Sequence, residues 1–300
     1  MRALIAGSGQ LPGHLAGIMS ADPAPWCLCA LHGYTPDITN APSPIGFRIE
    51  TLGSFLTQLK TLGVTQVCFA GAIQRPALDP SLIDAATLPL VPRMMAALQS
   101  GDDGALRVVL EIFEEAGFEI LAAHQIAPDL LPNHGILVGP QPNQTQIKDA
   151  LRGAAIVAAL GAADIGQACV VAQGQALASE ALPGTDWMLR SLTVVQTLPG
   201  STPDVIKRLS DAATPPAQLI RVRDPALPTG GILFKGPKPA QDLRIDMPTI
   251  GAETIRLAVE VGLDGIVIVQ GGVMVLDQAV VLAAADKAGI FLWVRPGDQT

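Results

Sequence analysis

The chain has 300 residues, enough for two domains that each bury their own core. Its formal net charge of −8 argues against nucleic acid as a partner, because a phosphate backbone would be repelled. Hydrophobic residues make up 49% of the chain, yet no apolar run reaches the ~18 to 20 residues of a spanning helix. No signal peptide is evident either, so we expect a cytoplasmic protein.

The first half of the chain alternates apolar strands with helices. Strands are predicted in RALIAG, WCLCALH, VTQVCFAGA and FEILAAH, and helices in LPGHLAGIM, GSFLTQLKTLG and ALRVVLEIFEEAG. This alternation predicts a parallel sheet with right-handed crossovers, in which ligands bind beyond the carboxyl ends of the strands. The expected fold class is therefore α/β, with a Rossmann-like N-terminal domain.

A glycine-rich turn joins the first strand to the first helix. At Gly7, Ser8 and Gly9 small side chains would let backbone N–H groups approach a phosphate at the helix N-terminus. Pro12 interrupts the G-x-G-x-x-G dinucleotide pattern, and no acidic residue ends the second strand. The turn is either a nucleotide phosphate site or a tight turn that needs glycine.

Charged residues also lie near the ends of later predicted elements. Arg75 follows the strand VTQVCFAGA, where it would either clamp a phosphate or form a surface ion pair. The stretch GDDGALR predicts a helix start at which Asp102 or Asp103 serves as the cap. Capping is the preferred interpretation of these two aspartates.

The cysteines favour a reducing compartment. Cys27, Cys29 and Cys68 lie in strand-like apolar runs, where we expect buried, reduced thiols. Cys27-Leu28-Cys29 has the wrong spacing for common zinc sites, and the histidines form no H-x-H or H-E-x-x-H cluster. A zinc site is therefore not expected.

A proline-rich segment, residues 127–146, divides the chain. It holds four prolines and few charges, which predicts a boundary between domains 1–133 and 134–300. In the second half, helices are predicted in QIKDALRGAAIVAALGAAD, GTDWMLR, TIRLAVEVGL and QAVVLAAADKAG. Strands are predicted on either side of Gly174-Gln175, in GIVIVQ and GVMVL joined by a GG hairpin, and in IFLWV. This predicts a second, less regular α/β domain.

The segment KGPKPAQDLRIDMPTIG, residues 235–251, has five charged residues out of seventeen. Prolines bracket QDLRIDM, which is too short and too β-branched for a helix, so an extended conformation is predicted. Alternate side chains of a strand share a face. One face would then carry Asp242, Arg244 and Asp246, and the other would anchor it through Leu243, Ile245 and Met247.

Such a charged face suits phosphate chemistry. A carboxylate can hold Mg²⁺ or orient water, and Lys235 and Lys238 can neutralise developing negative charge. In a straight strand Asp242 and Asp246 would lie ~13 Å apart, so either the chain bends between them or only one is a metal ligand. The alternative is an edge strand that carries solvated ion pairs.

Motifs along nearly the whole chain resemble those of one enzyme family. They are GSGQLP near the start, Arg75-Pro76, Gly101-Asp102-Asp103, GTDWML from Gly184, the charged segment, and GGVMVLD from Gly271. In this order they are similar to the motifs of the bacterial UDP-2,3-diacylglucosamine pyrophosphatases of the non-calcineurin type. These enzymes belong to lipid A biosynthesis in Gram-negative bacteria.

The resemblance implies an activity and a set of site residues. The activity is Mg²⁺-dependent hydrolysis of UDP-2,3-diacylglucosamine to UMP and 2,3-diacylglucosamine 1-phosphate, with substrate held between two domains. Asp242 would be the essential catalytic residue and the metal ligand, with Arg244 and Asp246 beside it. The implied substrate-binding residues are Gly7, Ser8, Gly9, Gln10, Arg75, Thr185, Asp186, Lys235, Lys238, Gln241 and Thr249.

The implied substrate also bears on location. It carries two acyl chains, so we expect peripheral contact with the cytoplasmic face of the inner membrane. A homo-oligomer is compatible with the sequence. Two other functions stay open: a nicotinamide-dependent oxidoreductase, based on Gly7, Gly9 and the parallel sheet, and a nucleotide or lipid carrier in which the charged face only binds phosphates.

Overall fold

The computed structural model describes residues 1–39, 41–73, 78–99, 102–197, 219–239 and 241–297. The chain forms two compact units. The first comprises Met1–Pro132, Ala240–Thr249 and Gly271–Gln278, and the second Asn133–Pro239, Ile250–Gln270 and Ala279–Thr300. Asp242, Arg244 and Asp246 therefore belong to the first unit, whereas the sequence-based division assigned them with the rest of residues 134–300 to the second domain.

The first unit is built on a parallel sheet of five strands. These are β1 (Arg2–Ala6), β2 (Trp26–Leu31), β3 (Ile45–Phe47), β4 (Gln66–Ala70) and β5 (Glu119–Leu121). Their order is β3-β2-β1-β4-β5, and every neighbouring pair is parallel. The order reverses between β1 and β4, and at such a switch point the crevice beyond the carboxyl ends of the strands is open to ligands.

Helices cover both faces of this sheet. They are α1 (Leu11–Ala21), α2 (Leu52–Thr61), α3 (Val91–Gln99), α4 (Asp102–Glu115) and α5 (Ala123–Ile126). Ala3 and Ile5 pack into an apolar cluster with residues of α2 and α4, whereas Leu4 and Ala6 pack into a second cluster with residues of α1 and α5. Because alternate residues of β1 enter different clusters, the strand is buried on both sides, as parallel strands usually are. The predicted parallel α/β arrangement is confirmed.

Three details of the first unit bear on the sequence-based predictions. Strand β3 was not predicted, because three residues, Ile45-Gly46-Phe47, are too few to show a strand period. Cys27, Cys29 and Cys68 are buried free thiols, as predicted, and Cys169 of the second unit is as well. The start of α4 at Asp102 matches the helix start predicted in GDDGALR.

Ten further strands lie in the described residues of the second half of the chain. They are β6 (Gly135–Val138), β7 (Ala168–Ala172), β8 (Gln175–Ser179), β9 (Thr193–Thr197), β10 (Leu219–Arg223), β11 (Ile232–Lys235), β12 (Thr249–Ile250), β13 (Gly265–Val269), β14 (Met274–Val275) and β15 (Phe291–Arg295). The main sheet has the order β6-β15-β13-β11-β7-β8. Strands β11, β13 and β15 are parallel, while β6, β7 and β8 run antiparallel to their neighbours. This mixed sheet accounts for the less regular pattern of the sequence.

Four helices accompany these strands in the described ranges: α6 (Gln144–Ala162), α7 (Gly184–Arg190), α8 (Ala252–Glu260) and α9 (Gln278–Ala288). Helix α6 lies close to the sheet at Gly153, where an added Cβ would be 2.6 Å from the Cβ of Phe234. Asn143 caps this helix by accepting hydrogen bonds from the amides of Thr145 and Gln146. None of the helices in the described part of the chain is long and apolar enough to cross a membrane.

The predicted GG hairpin is wrong. Strand β13 is central in its sheet, with β11 and β15 occupying both of its edges, so it has no edge left for β14. At Gly271 the chain takes φ = +68° and leaves the sheet, and the amide of Met274 donates instead to the carbonyl of Pro248. The predicted β7–β8 hairpin is present, and its turn residues are Gln173 and Gly174, one position earlier than predicted.

Candidate functional site

The segment QDLRIDM forms a turn. The carbonyl oxygen of Asp242 accepts hydrogen bonds from the amides of Ile245 at 3.2 Å and Asp246 at 3.1 Å. The prediction of an extended strand is therefore wrong. The chain does bend between Asp242 and Asp246, which was one of the two alternatives that their spacing allowed. Local backbone bonds within QDLRIDM replace the ladder that a strand would need.

Apolar side chains fix this turn within the first unit. Leu243 and Met247 pack against the cluster that contains Leu15, whereas Ile245 packs against the cluster that contains Phe113. The predicted apolar anchor thus exists, but it is divided between the two faces of the parallel sheet. A straight strand would have turned all three side chains to one side.

Arg244 holds both carboxylate oxygens of Asp242. The backbone N and Nε of Arg244 donate to Oδ1 at 3.0 Å each, and Nη2 donates to Oδ2 at 2.7 Å. On its other side Arg244 donates from Nη1 to Oε1 of Glu114 at 2.5 Å. The bonds from Arg244 lower the pKa of Asp242, and the two carboxylates raise the pKa of Arg244. Asp242 is therefore ionised at neutral pH and fixed in orientation.

A cleft of about 460 Å³ opens beside this ion pair. Helix α4 forms one wall, and the other wall is residues 241–244. Arg107 of α4 lines the cleft and further lowers the pKa of Asp242 by its positive charge. The other aspartate of the turn, Asp246, accepts a hydrogen bond from Nε2 of Gln241 at 2.6 Å. The cleft has the size of a small-ligand site, and both basic and acidic side chains line it.

The second unit contains a separate group of predicted site residues. Lys235 ends β11 and is buried, and its Nζ donates to Oγ1 of Thr185 at 2.9 Å. Thr185 in turn donates to Oε1 of Glu180 at 2.6 Å. Asp186 follows in the first turn of α7. Lys238 lies in an ion pair, with Nζ 2.6 Å from Oδ1 of Asp164, so a phosphate would compete with a carboxylate for it.

The glycine turn after β1 is partly closed by the protein itself. The amide of Gly7 donates to Ala70 O at 2.8 Å, and the amide of Ser8 donates to Ala72 O at 2.9 Å. A Cβ on Gly7 would lie 2.5 Å from Ala72 O, so glycine is required there for close backbone approach. At these two residues the tight-turn interpretation accounts for the geometry. Gly9 takes φ = +100° beside open space, and Gln10 precedes α1 with no side-chain capping bond.

The remaining predicted residues are placed as follows. Arg75 lies outside the described residues. Thr249 donates from Oγ1 to Met247 O at 3.2 Å, which supports the end of the turn. Two acidic residues escaped the sequence analysis: Glu114, one of several charges on an amphipathic helix, carried no signal, whereas Glu180 is the lone acidic residue of the run ALASEAL, which could have marked it.

The donor set around Asp242 limits how Mg²⁺ could bind. In the described ranges no three His, Cys, Asp or Glu side chains are grouped so that they could hold a metal ion. Mg²⁺ at phosphate sites commonly uses one or two carboxylates together with substrate oxygens and water, so Asp242 alone can serve. Arg244 already donates to both of its oxygens, so an ion there would share the carboxylate of Asp242 with Arg244.

Comparison with known proteins supplies the family. The model of the LpxI N-terminal domain matches residues 1–130, and that of the LpxI C-terminal domain matches residues 133–293. The chain is 34% identical over 299 residues to the UDP-2,3-diacylglucosamine pyrophosphatase LpxI of Caulobacter vibrioides, covering 99% of this chain and 98% of that protein. The resemblance drawn from the motifs is confirmed, and the chain belongs to the LpxI family.

Proposed function

We propose that the protein is a hydrolase of lipid A biosynthesis that cleaves UDP-2,3-diacylglucosamine to UMP and 2,3-diacylglucosamine 1-phosphate. The observation that carries this proposal is the 34% identity to an enzyme named for that substrate, extending over 99% of the chain. In the reaction, the oxygen of water bonds to one phosphorus and a proton of that water passes to solvent. The bridging P–O bond breaks, and the electron pair of that bond stays on the departing phosphate. No covalent intermediate with the protein is required.

The roles of the residues follow from charge and position. Ionised Asp242 orients the attacking water at the cleft, and Arg244 offsets the negative charge that develops on the phosphoryl oxygens. Asp242 would hold Mg²⁺, which would supply Lewis-acid polarisation of the phosphoryl group. Asp246 holds Gln241 and thereby the start of the turn. Lys235 supplies a cation for ground-state contact with a phosphate.

The two other functions have less support. A nicotinamide cofactor would need backbone amides of the glycine turn for its pyrophosphate, and those of Gly7 and Ser8 already bond to Ala70 and Ala72. A carrier would need charged groups to bind phosphate but no ionised carboxylate beside them. The Asp242–Arg244 pair therefore favours hydrolysis over simple binding.

Peripheral membrane contact is part of the proposal, because the substrate carries two acyl chains. In the first unit, the segment before α4 exposes large apolar side chains: Leu82 is 41% exposed, Leu88 59% and Met95 49%. Such side chains can enter the headgroup region without a spanning helix. We expect the protein to be released from membranes by carbonate washing; retention of the whole protein would contradict peripheral contact.

Turnover with a defined substrate tests the function. Purified protein is incubated with UDP-2,3-diacylglucosamine in detergent micelles, with Mg²⁺ or with Mg²⁺ plus excess chelator, and UMP is quantified by chromatography. We expect UMP release at many turnovers per protein with Mg²⁺ and its loss with chelator. Stoichiometric binding without UMP would indicate a carrier, and tight binding of NADH by fluorescence would indicate an oxidoreductase.

A further inference from the structure

Three buried polar side chains of the second unit form a chain of hydrogen bonds. Lys235, Thr185 and Glu180 are 6%, 8% and 7% exposed. Their bonds are 2.9 Å from Lys235 Nζ to Thr185 Oγ1 and 2.6 Å from Thr185 Oγ1 to Glu180 Oε1. A buried ammonium is destabilising unless hydrogen bonds and an opposite charge compensate it. The carboxylate of Glu180 supplies this opposite charge on the other side of the Thr185 hydroxyl.

The chemistry of the three groups gives this chain one direction. An ammonium can only donate, and an ionised carboxylate can only accept, so the hydroxyl of Thr185 must accept from Lys235 and donate to Glu180. Glu180 therefore decides where the hydroxyl hydrogen lies and which lone pair faces the ammonium. Loss of the carboxylate would free the hydroxyl to rotate.

Glu180 is itself rigidly held. Its Oε2 accepts from the amide of Gln167 at 3.0 Å, and its own amide donates to Ala168 O at 2.8 Å. A Cβ at Gly166 would lie 2.2 Å from the Glu180 carbonyl oxygen, so the backbone passes as close as glycine allows. A carboxylate fixed on both sides is a suitable reference point for a catalytic cation.

We propose that Glu180 is a positioning residue: through the Thr185 hydroxyl it holds the ammonium of Lys235 where it meets a phosphate of the substrate. The inference rests on the proposed function, because Lys235 acts on phosphate only there. None of the sequence motifs includes Glu180. Its effect passes entirely through Thr185 and Lys235, and this distinguishes positioning from a general contribution to the fold.

A mutant cycle tests this route. Glu180→Gln removes the charge at nearly constant size, and it should lower kcat/KM by about 10- to 100-fold, the range expected from one lost hydrogen bond to a charged group. Thr185→Val should do the same, and Thr185→Ser should recover most of that loss because it keeps the hydroxyl. In the Lys235→Met background, Glu180→Gln should change kcat/KM less than 3-fold, because its target is gone.

Asp149→Asn is the matched control. Asp149 is a carboxylate of the same unit, 1% exposed, and it accepts from the amides of Gln173 and Gly174 at the turn after β7. Lys235 pairs with Ala168, at the opposite end of β7. We expect this variant to lower the melting temperature without changing kcat/KM, as a purely structural carboxylate should.

Two kinetic outcomes would overturn the inference: wild-type kcat/KM in Glu180→Gln, or equal fold-losses from Glu180→Gln in the wild-type and Lys235→Met backgrounds. Calorimetry with uridine 5′-diphosphate adds an arm that does not need turnover. We expect its Kd to rise in Glu180→Gln and to be unaffected in Asp149→Asn; an unchanged Kd in Glu180→Gln would count against positioning. Wild-type protein that binds this probe but releases no UMP would instead refute the proposed function.

Discussion

Replacing Asp242 by asparagine tests whether the charge of this residue acts in catalysis or only in the ion pair with Arg244. The substitution keeps the size of the side chain and one carbonyl oxygen, but it places an NH₂ group opposite the N–H donors of Arg244. If the charge of Asp242 acts mainly in the transition state, kcat should fall by about 10²- to 10³-fold or more, while substrate still binds. UMP release is measured at saturating substrate and Mg²⁺.

Stability should change much less than activity. The side chains of Asp242 and Arg244 are 28% and 41% exposed, and partly exposed ion pairs contribute only about 0 to 1 kcal/mol. Arg244 also retains Glu114, at 2.5 Å, as an ion-pair partner. We therefore expect the melting temperature of Asp242→Asn to fall by no more than a few degrees.

Glu114→Gln is the matched control for the ion pair. It removes the charge of the second carboxylate that binds Arg244 and leaves Asp242 charged. Its cost in stability should be comparable to that of Asp242→Asn. We expect a loss of kcat below about 10-fold, because Arg244 keeps its bonds to Asp242. Near-normal turnover in a well-folded Asp242→Asn variant would refute the catalytic role of Asp242. Asp242 and Arg244 would then form only a solvated ion pair.

Three further predictions follow from burial and charge. Arg244 lowers the pKa of Asp242, so their ion pair stabilises the fold at pH values above the ordinary pKa of a carboxyl group, and this contribution is lost as the pH falls below about 4. In thermal melts, the melting temperature should therefore fall less from pH 7 to pH 3 in Asp242→Asn than in wild type. Burial raises the pKa of Cys68 and of Cys169 to about 12, so neither should react with a thiol reagent at pH 8 until the protein is unfolded in guanidinium, and rapid native labelling would contradict their burial. Gly7→Ala should lower the free energy of unfolding by about 1 to 3 kcal/mol in chemical denaturation, since its Cβ would lie 2.5 Å from Ala72 O; unchanged stability would show that the turn can relax.

Local pattern was sufficient for most of the regular elements. The period of apolar residues located β1, β2, β4 and their intervening helices, because a strand or helix that buries one or both faces must repeat its apolar side chains at the matching spacing. It also placed the free thiols of Cys27 and Cys29 in the core. The charged segment and the glycine turn were recognisable because their composition departs from that of the surrounding chain.

Some short strands could be recognised only from the tertiary structure. Strand β11 carries Lys235 and is central in its sheet, yet its four residues after a glycine pair were not recognised as a strand. The hairpin expected after β13 failed for a related reason: pairing depends on which strand edges are occupied, and occupancy is decided by strands distant in sequence. A local pattern carries no information about a strand's neighbours.

Tertiary structure also decided the geometry of the candidate site. The residues between the two prolines favour an extended chain locally, but Leu243 and Ile245 reach different apolar clusters only if the segment turns. Glu114 is 130 positions from Arg244, and no spacing in one sequence could pair them. The sequence by itself determined which residue types were available for phosphate chemistry. Their partners were decided by packing, because burial of apolar side chains outweighs the weak backbone preference of a seven-residue segment.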